Sequence, residues 1–425
     1  MKKEITIEDY APIVGDEIVK KIKRKAKNLA KKKIVFISST HTGGGVAEML
    51  NTAVPMFNDL GIKFGWRILH GANNFFEITK SLHNALQGAP FNFTDEKKEL
   101  YHNTNKRYSK FTHLHHDLVV VHDPQPMPMI EFYKRNQPWI LRLHIDITSP
   151  DKKTYSYLKR YINQYDHLIV SKKEFLKKDL FPKQSILYPA IDPLSLKNIE
   201  MNNKDVKKEL FKKGVKKEKF MISQISRFDK WKGFPAVIKM FEIARKDIDA
   251  QLVLCGSYAS DDPEGEEIYY NILKQVEKSK YKEDIQIVFG DRELFVNALQ
   301  RASDVVIQNS NREGFGLTVS EALYKGTPVL ASKVGGVGLQ IKNGFNGYLH
   351  KPDDTKNYAK NIIKIAKDQE LKNYLGQNGK EFVTNNFLIT RWMIDWLNVF
   401  ESYLVFPKNI KHLSGKIITK TKKYS

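Results

Sequence analysis

Short apolar runs alternate with amphipathic segments along most of the 425-residue chain. Runs rich in Val, Ile and Leu that are separated by helical segments are typical of buried parallel strands joined by helices. The runs lie at 33–39, 116–123, 138–146 and 166–171 in the first half, and at 219–226, 250–256, 285–290, 302–309 and 327–332 in the second. The two series predict two doubly wound α/β domains.

The segment 185–210 separates the two series, since it combines prolines, polar residues and a charge run and shows no clear strand after Leu187. We place the domain linker near Ala190–Leu196. Beyond residue 356 the pattern is helical. Within 389–404, apolar residues recur at the spacing of one helix face, which predicts a long amphipathic helix; they are Trp392, Met393, Trp396, Leu397 and Phe400.

The chain is strongly basic, with 70 Lys and Arg against 48 Asp and Glu and a net charge of +22. This charge permits nucleic-acid, anionic-membrane or phosphorylated-substrate partners. The basic runs at 20–33 and 207–220 have helical spacing and predict solvated helix faces, with Ile18, Ile22, Ala26 and Leu29 together on one face. Peripheral contact with an anionic membrane stays open. Without a basic stripe interleaved with aromatic residues or a recognisable module, we expect no nucleic-acid partner.

Cys255 is the only cysteine, so no disulfide can form within one chain. No apolar run approaches the roughly 18 residues of a membrane span, and the N-terminus lacks an apolar signal region. These features predict a cytoplasmic protein.

Three glycines, Gly43–Gly45, follow the first apolar run where a strand would turn into a helix. Glycines allow a sharp bend and a close ligand approach there, and the following helix N-terminus suits a phosphate. The spacing is not Gly-x-Gly-x-x-Gly, so a nicotinamide or flavin cofactor is disfavoured. A tight turn without a ligand is the alternative.

The stretch "REGFGLTVSEA" forms the equivalent corner of the second half. Gly314, Phe315 and Gly316 make the turn, and the amides of Leu317 and Thr318 would head a helix and face a diphosphate. Two carboxylates, those of Glu313 and Glu321, flank this turn and suit the hydroxyl groups at opposite ends of a ligand. The alternative makes Glu313 a helix N-terminal acid and Glu321 a solvated residue.

Two cations, Arg227 and Lys232, follow the first apolar run of the second half. Ligands of open α/β sheets bind beyond the carboxyl ends of strands, and this pair could neutralise a pyrophosphate. Alone they would be read as surface charges, but both glycine corners and the paired acids favour phosphate binding. The histidines at 113–122 offer no compact tetrahedral ligand set, so we predict no metal site.

The segments "SRFDKWKG" and "REGFGLTVSEA" resemble the retaining glycosyltransferases of family 4, whose signature is Glu-x7-Glu. The resemblance implies the GT-B fold: two Rossmann-like domains face each other across a cleft, and a C-terminal helix crosses back to the first. The implied division is 1–193 for the acceptor-side domain with a crossover helix 389–415, 194–388 for the nucleotide-sugar domain, and 416–425 for a basic tail.

A narrower resemblance, from about Tyr10 to Leu404, is to the trehalose glycosyltransferring synthases. It is carried by "VHDPQP", "LRLHIDITSP", "YPAIDPLSLKN" and "DDPEG", and by the segment around Gly43–Gly45. It implies transfer of glucose from a nucleotide-diphosphate-glucose, a co-substrate, to glucose, without a bound cofactor. A homodimer stays open.

The resemblance also implies roles for single residues. Glu313 would hold the donor sugar and Glu321 the ribose, and Arg227 and Lys232 would bind the diphosphate. The remaining residues would approach the donor phosphate (Gly44 and Gly45), lie beside the reacting sugar (His144) and line the acceptor side (His122, Gln125 and Asp146). A trehalose phosphorylase, a membrane-surface glycosyltransferase with a lipid or polysaccharide acceptor, and a non-catalytic basic binding protein are the alternatives.

Overall fold

Each half of the chain builds a parallel six-stranded sheet in the computed structural model, which describes residues 5–42, 44–257 and 264–406. One unit comprises the described residues up to Ala190 and those from Ile389 onwards, and the other comprises those within Ile191–Leu388. The predicted class of two doubly wound α/β domains is confirmed.

The sheet of the first unit has the order β2-β1-β3-β4-β5-β6. Its strands are β1 Lys33–Ser38, β2 Lys63–Ile68, β3 Leu118–His122, β4 Trp139–Arg142, β5 His167–Val170 and β6 Lys183–Ile186. The helices up to β6 are α1 Ala11–Val14, α2 Asp16–Asn28, α3 Gly45–Asp59, α4 Asn73–Leu86, α5 Asp95–Phe111 and α6 Lys152–Ile162. The chain reverses direction across the sheet between β1 and β3, and ligand sites of such sheets lie at the carboxyl ends of these strands.

The sheet of the second unit has the order β12-β11-β10-β7-β8-β9. Its helices are α7 Asn203–Phe211, α8 Phe234–Ala244, α9 Glu264–Glu277, α10 Glu293–Ala302, α11 Leu317–Tyr324, α12 Thr355–Lys367 and α13 Gln369–Asn386. Its strands are β7 Phe220–Arg227, β8 Ala250–Ser257, β9 Ile285–Phe289, β10 Val305–Gln308, β11 Val329–Ser332 and β12 Gly347–His350. The strand order reverses between β7 and β10, whose carboxyl ends therefore mark the expected ligand site.

The last described helix, α14 (Ile389–Leu404), belongs to the first unit and confirms the amphipathic helix predicted there. Trp392 and Trp396 on its apolar face are at most 1% exposed and pack beside Phe36 of β1. An ion pair of 2.6 Å joins Glu401 to Lys25 of α2. The described helix runs to Leu404. Residues 407–415 of the predicted crossover helix and the tail predicted at 416–425 lie outside the described residues.

Three strands that the apolar pattern did not predict are β2, β6 and β12, and each lies at the edge of its sheet. An edge strand is paired on one side only and can carry polar residues that interrupt an apolar run. In β2, Lys63 and Arg67 are exposed, and β6 reads "KQSI".

The basic runs are only partly helical. In α2 the buried residues are Val19, Ile22 and Ala26, and Ile18, which we expected on this face, is half-buried. The helix predicted over 207–220 ends with α7 at Phe211. Among the described residues, no helix is both long and apolar enough to cross a membrane.

Candidate active site

The carboxyl ends of β7 and β10 bring Lys232 and Glu313 together. Lys232 ends a short 3-10 turn after β7, and its Nζ lies 2.6 Å from Oε2 of Glu313. Both side chains are about 15% exposed or less. Gln308 Nε2 and Ser310 Oγ each donate to the same oxygen over 3.3 Å. Three donors therefore hold the Glu313 carboxylate in one orientation.

The glycine corner that follows Glu313 leads directly into α11. Gly316 has φ +79° and precedes the first helical residue, Leu317, so the amides of Leu317 and Thr318 begin the helix, where amides have no intrahelical acceptor. Phe315 is 5% exposed and packs edge-on against Phe387 at 5.4 Å between ring centroids. The corner thus combines a buried anchor with amides suited to an anion.

A second loop, Gly335–Gly336, supports this corner from β11 and was missed by the sequence reasoning. The amide of Gly336 donates to the carbonyl of Gly314 over 2.9 Å. A Cβ at Gly335 would lie only 1.6 Å from the carbonyl oxygen of Glu313. The two consecutive glycines in "KVGGVG" were the available signal, but only the fold shows what they approach.

Glu321 lies in a separate polar cluster inside the second unit. The residue is 4% exposed, and its Oε2 accepts from Gln300 Nε2 of α10 over 3.1 Å. Lys197 Nζ lies 3.8 Å from Oε1, and Lys325 Nζ donates to the Glu321 backbone carbonyl over 3.2 Å. Glu321 is therefore not the solvated helix residue of our alternative interpretation.

Arg227 is placed at the carboxyl end of β7, as the sequence predicts, but its side chain is half exposed. Its Nη2 lies 3.7 Å from Oδ2 of Asp229, whose other carboxylate oxygen accepts from the amide of Trp231 over 2.9 Å. Arg227 is thus a partly exposed cation at the carboxyl end of β7, the strand that Lys232 also follows.

In the first unit, the carboxyl ends of β3 and β4 bring His122 and His144 together. Nδ1 of His122 lies 3.0 Å from Nε2 of His144. His122 is 1% exposed, whereas His144 is half-buried. The amide of His144 donates to Oδ1 of Asp123 over 2.8 Å, and Asp123 itself has φ +65°. The turn after β3 therefore fixes the main chain of His144.

Burial is the main cause of the pKa shifts of the two histidines and of the charged residues beside them. It lowers the pKa of His122 to about 3 and holds the pKa of His144 well below its usual range, with the charge of Arg142 acting in the same direction. Burial also raises the pKa of Asp123 to about 6 and lowers that of Arg142 to about 9. Both imidazoles are consequently neutral at physiological pH.

The other predicted residues of the first unit follow β1, β3 and β4, and so they lie at the same carboxyl end of the sheet. Gly44 is exposed with φ +89° and Gly45 begins α3, which places helix amides beyond β1. Gln125 and Asp146 are half-buried, and Asp146 Oδ1 accepts from the amide of Thr148 over 2.8 Å. Gly43 and residues 261–263 of "DDPEG" lie outside the described residues.

A metal site has no candidate in the described part of the chain, where no group of three or more His, Cys, Asp or Glu side chains could hold an ion.

Known proteins resemble the chain along most of its length. Residues 36–177 match the family "Trehalose synthase, N-terminal domain", and residues 205–382 match the family "Glycosyl transferases group 1". The chain is 40% identical over 401 residues to the trehalose synthase of Thermococcus litoralis, with 93% of this chain and 97% of that protein covered. It is 30% identical over 430 residues to the trehalose phosphorylase of Grifola frondosa, covering 89% of this chain and 58% of that protein.

A solved structure supports the fold. The α,α-trehalose-phosphate synthase (UDP-forming) of Burkholderia xenovorans, in complex with glucose-6-phosphate, matches with a TM-score of 0.69 at 12% identity. The match covers 87% of this chain and all of that one. The chain thus has the GT-B fold, and it belongs to the trehalose synthase family of glycosyltransferases.

Proposed function

We propose that the protein forms trehalose by transferring glucose, with retention of configuration, from a nucleotide-diphosphate-glucose to glucose. The observation that carries this proposal is the Lys232–Glu313 pair at 2.6 Å beside the α11 N-terminus. The pair lies in a chain that aligns with 97% of a trehalose synthase. The related Burkholderia enzyme is described as UDP-forming, which supports a nucleotide-linked donor.

The second unit would bind the donor through charges of opposite sign. Lys232 and Arg227 would face the diphosphate, together with the amides of Leu317 and Thr318. The Glu313 carboxylate, already oriented by three donors, would accept from hydroxyls of the glucosyl group. Glu321 would accept from the ribose.

The departing diphosphate gains negative charge during the reaction, and fixed cations and amides stabilise that charge more than the ground state. The bond between C1 of glucose and the phosphate oxygen breaks, while a bond from C1 to the acceptor oxygen forms on the same face. The acceptor's proton passes to the leaving phosphate oxygen. Nucleoside diphosphate and trehalose are the products, and no carboxylate nucleophile is required.

The first unit would bind the acceptor glucose. Gln125 and Asp146 are half-buried at the carboxyl edge of its sheet and offer amide and carboxylate groups to sugar hydroxyls. His144 would lie beside the reacting sugar, and Gly44 and Gly45 would bring helix amides to the donor phosphate. The buried ring of His122 would act on the acceptor side through His144, which it contacts.

A trehalose phosphorylase is the second candidate, because the chain is 30% identical to the Grifola frondosa enzyme. Inorganic phosphate would then replace the nucleotide at the same cations. The chain covers only 58% of that phosphorylase but 97% of the Thermococcus synthase, which favours the synthase reaction.

The test incubates the purified full-length chain with ADP-, UDP- or GDP-glucose plus glucose, and separately with trehalose plus inorganic phosphate. We expect trehalose from at least one nucleotide donor. Glucose 1-phosphate from trehalose and phosphate alone would support the phosphorylase, and the absence of trehalose from every donor would overturn the proposed reaction.

Two variants test the assignment of Glu313. Glu313→Gln keeps the shape of the side chain but removes its charge, and we expect about a 100-fold loss of turnover. Glu381→Gln makes the same change at an exposed position of α13 and should leave turnover unaltered. Equal turnover of the two variants would refute the role of Glu313.

A further inference from the structure

The contact between His122 and His144 requires a defined proton. Their facing nitrogens, Nδ1 of His122 and Nε2 of His144, are 3.0 Å apart, which is a hydrogen-bond distance. A neutral imidazole has one N–H donor and one acceptor nitrogen. One ring must therefore donate to the other, and the choice fixes the tautomer of both.

The far side of His122 decides between the two arrangements. Its Nε2 is buried and has no hydrogen-bond partner among the described residues. The ring packs against Phe36 at 4.7 Å and lies 6.3 Å from Trp396, measured between ring centroids. A proton on Nε2 would be a buried N–H without an acceptor, which is rarer in proteins than an unpaired acceptor. The proton therefore belongs on Nδ1, which donates to His144.

We propose that His122 is a positioning residue that locks His144 in the tautomer with its proton on Nδ1. Since Nε2 of His144 accepts from His122, its remaining ring nitrogen must be the N–H donor. The consequence for catalysis rests on the proposed function, which puts a sugar beside His144: the ring donates to a sugar oxygen and does not act as a general base.

The surroundings of the pair support a neutral, fixed ring. The guanidinium of Arg142, on β4 two residues before His144, is fully buried and opposes a second positive charge. On the main-chain side, Asp123 accepts from the amide of His144, so the backbone is held independently of the ring. The hydrogen bond with His122 is therefore the contact that determines the tautomer of the His144 ring.

The first test is nitrogen NMR of the full chain with ring-labelled histidine, without substrate. The chain has 12 histidines, and the spectrum of His144→Gln identifies the His144 signals. We expect a protonated Nδ1 and an unprotonated Nε2 in His144. A protonated Nε2 would overturn the proposal whatever the enzyme's activity, so this result is independent of the proposed reaction.

Substitutions of His122 test the lock directly. His122→Phe keeps an aromatic ring between Phe36 and Trp396 but removes the donor, whereas His122→Asn keeps an amide donor near the position of Nδ1. We expect His122→Phe to give mixed His144 tautomers and a turnover reduced by about 10-fold, the scale of one lost hydrogen bond. His122→Asn should restore the single tautomer and most of the turnover.

A matched control separates the lock from the loss of any buried histidine. His167 on β5 is fully buried in the same sheet, and its Nε2 lies 2.8 Å from Ser185 Oγ. His167→Phe should lower stability without changing the tautomer of His144 or turnover. If His122→Phe leaves the His144 tautomer unchanged, the lock is refuted. If the tautomer changes and turnover does not, the lock stands and the proposed role of His144 fails.

Discussion

Replacing Gly335 by alanine should inactivate the enzyme through the backbone of Glu313. Gly335 has φ +44°, and a Cβ there would lie 1.6 Å from the carbonyl oxygen of Glu313. Gly344 offers a matched control in the same unit, because its φ is +73° but a Cβ would meet nothing within 4 Å. Both substitutions carry the cost of a left-handed backbone, about 1–2 kcal/mol. Only Gly335→Ala also pushes on the candidate site.

The displacement sets the size of the effect. An ordinary contact starts at 3.4 Å, so the Glu313 carbonyl or residue 335 must retreat by about 1.8 Å. The Glu313 carboxylate depends on contacts of 2.6 Å to Lys232 and 3.3 Å to Gln308, which such a shift would break. Misplacement of a reacting group by about 1 Å can cost about 100-fold in rate. We expect at least that loss.

The assay measures turnover with the active nucleotide-glucose and glucose, and the melting temperature, for both variants. Gly344→Ala should show a modest loss of stability and normal turnover. If Gly335→Ala folds and works as well as Gly344→Ala, the loop does not position Glu313 and the reasoning fails.

Two further predictions concern stability. Burial lowers the pKa of Lys325 to about 7 from an ordinary 10.5. Between pH 7 and pH 10.5 the unfolded chain therefore binds more protons than the folded chain. Raising the pH in this range stabilises the native fold. The free energy of unfolding of the wild type, measured with urea and compared with that of Lys325→Met, should rise by up to about 1.4 kcal/mol per pH unit above pH 7 and should not change below it. A difference between the two proteins that does not vary with pH would contradict this. Glu401→Ala leaves the ammonium of Lys25 without its carboxylate, and thermal unfolding should show a loss of about 1–3 kcal/mol. Glu17→Ala breaks an exposed ion pair with Lys20 on α2, the helix of Lys25, and should cost under about 1 kcal/mol. Equal losses of stability in the two variants would refute the distinction between the buried and the exposed ion pair.

The apolar pattern predicted every strand that is paired on both sides, because such strands are buried on both faces and carry unbroken apolar runs. It also predicted the edge strand β9, whose sequence "IQIVF" is itself largely apolar. It missed β2, β6 and β12, since an edge strand gains less from apolar residues and its polar positions hide the run. On α2 we predicted that Ile18 lies on the buried face, whereas the buried residue is Val19. The two residues are adjacent and both apolar, so the sequence alone does not show which of them lies at the centre of that face.

The residues that meet in the candidate site were predictable only in part. Lys232 and Glu313 each follow an apolar strand, and parallel strands bring such positions to one edge of a sheet. Their ion pair spans 81 residues of sequence, and the contact of Glu321 with Gln300 spans 21. Gln300 and Lys197 carried no local signal of these contacts, because their partners come from the packing of other elements. The consecutive glycines at 335–336 were a signal, but they did not show what the loop approaches.

The spacing between Glu313 and Glu321 has a physical basis that the turn at Gly316 supplies. In an uninterrupted α-helix, residues eight apart are separated by about 12 Å along the axis and project from nearby faces. Here Glu313 precedes the turn and reaches Lys232, whereas Glu321 lies within α11 and reaches Gln300 of α10. Because the turn separates them, each carboxylate can have its own polar partners in a chain with a net charge of +22. The amides at the start of α11 lie between the two acids in sequence, which is the order that a sugar, a diphosphate and a ribose would require.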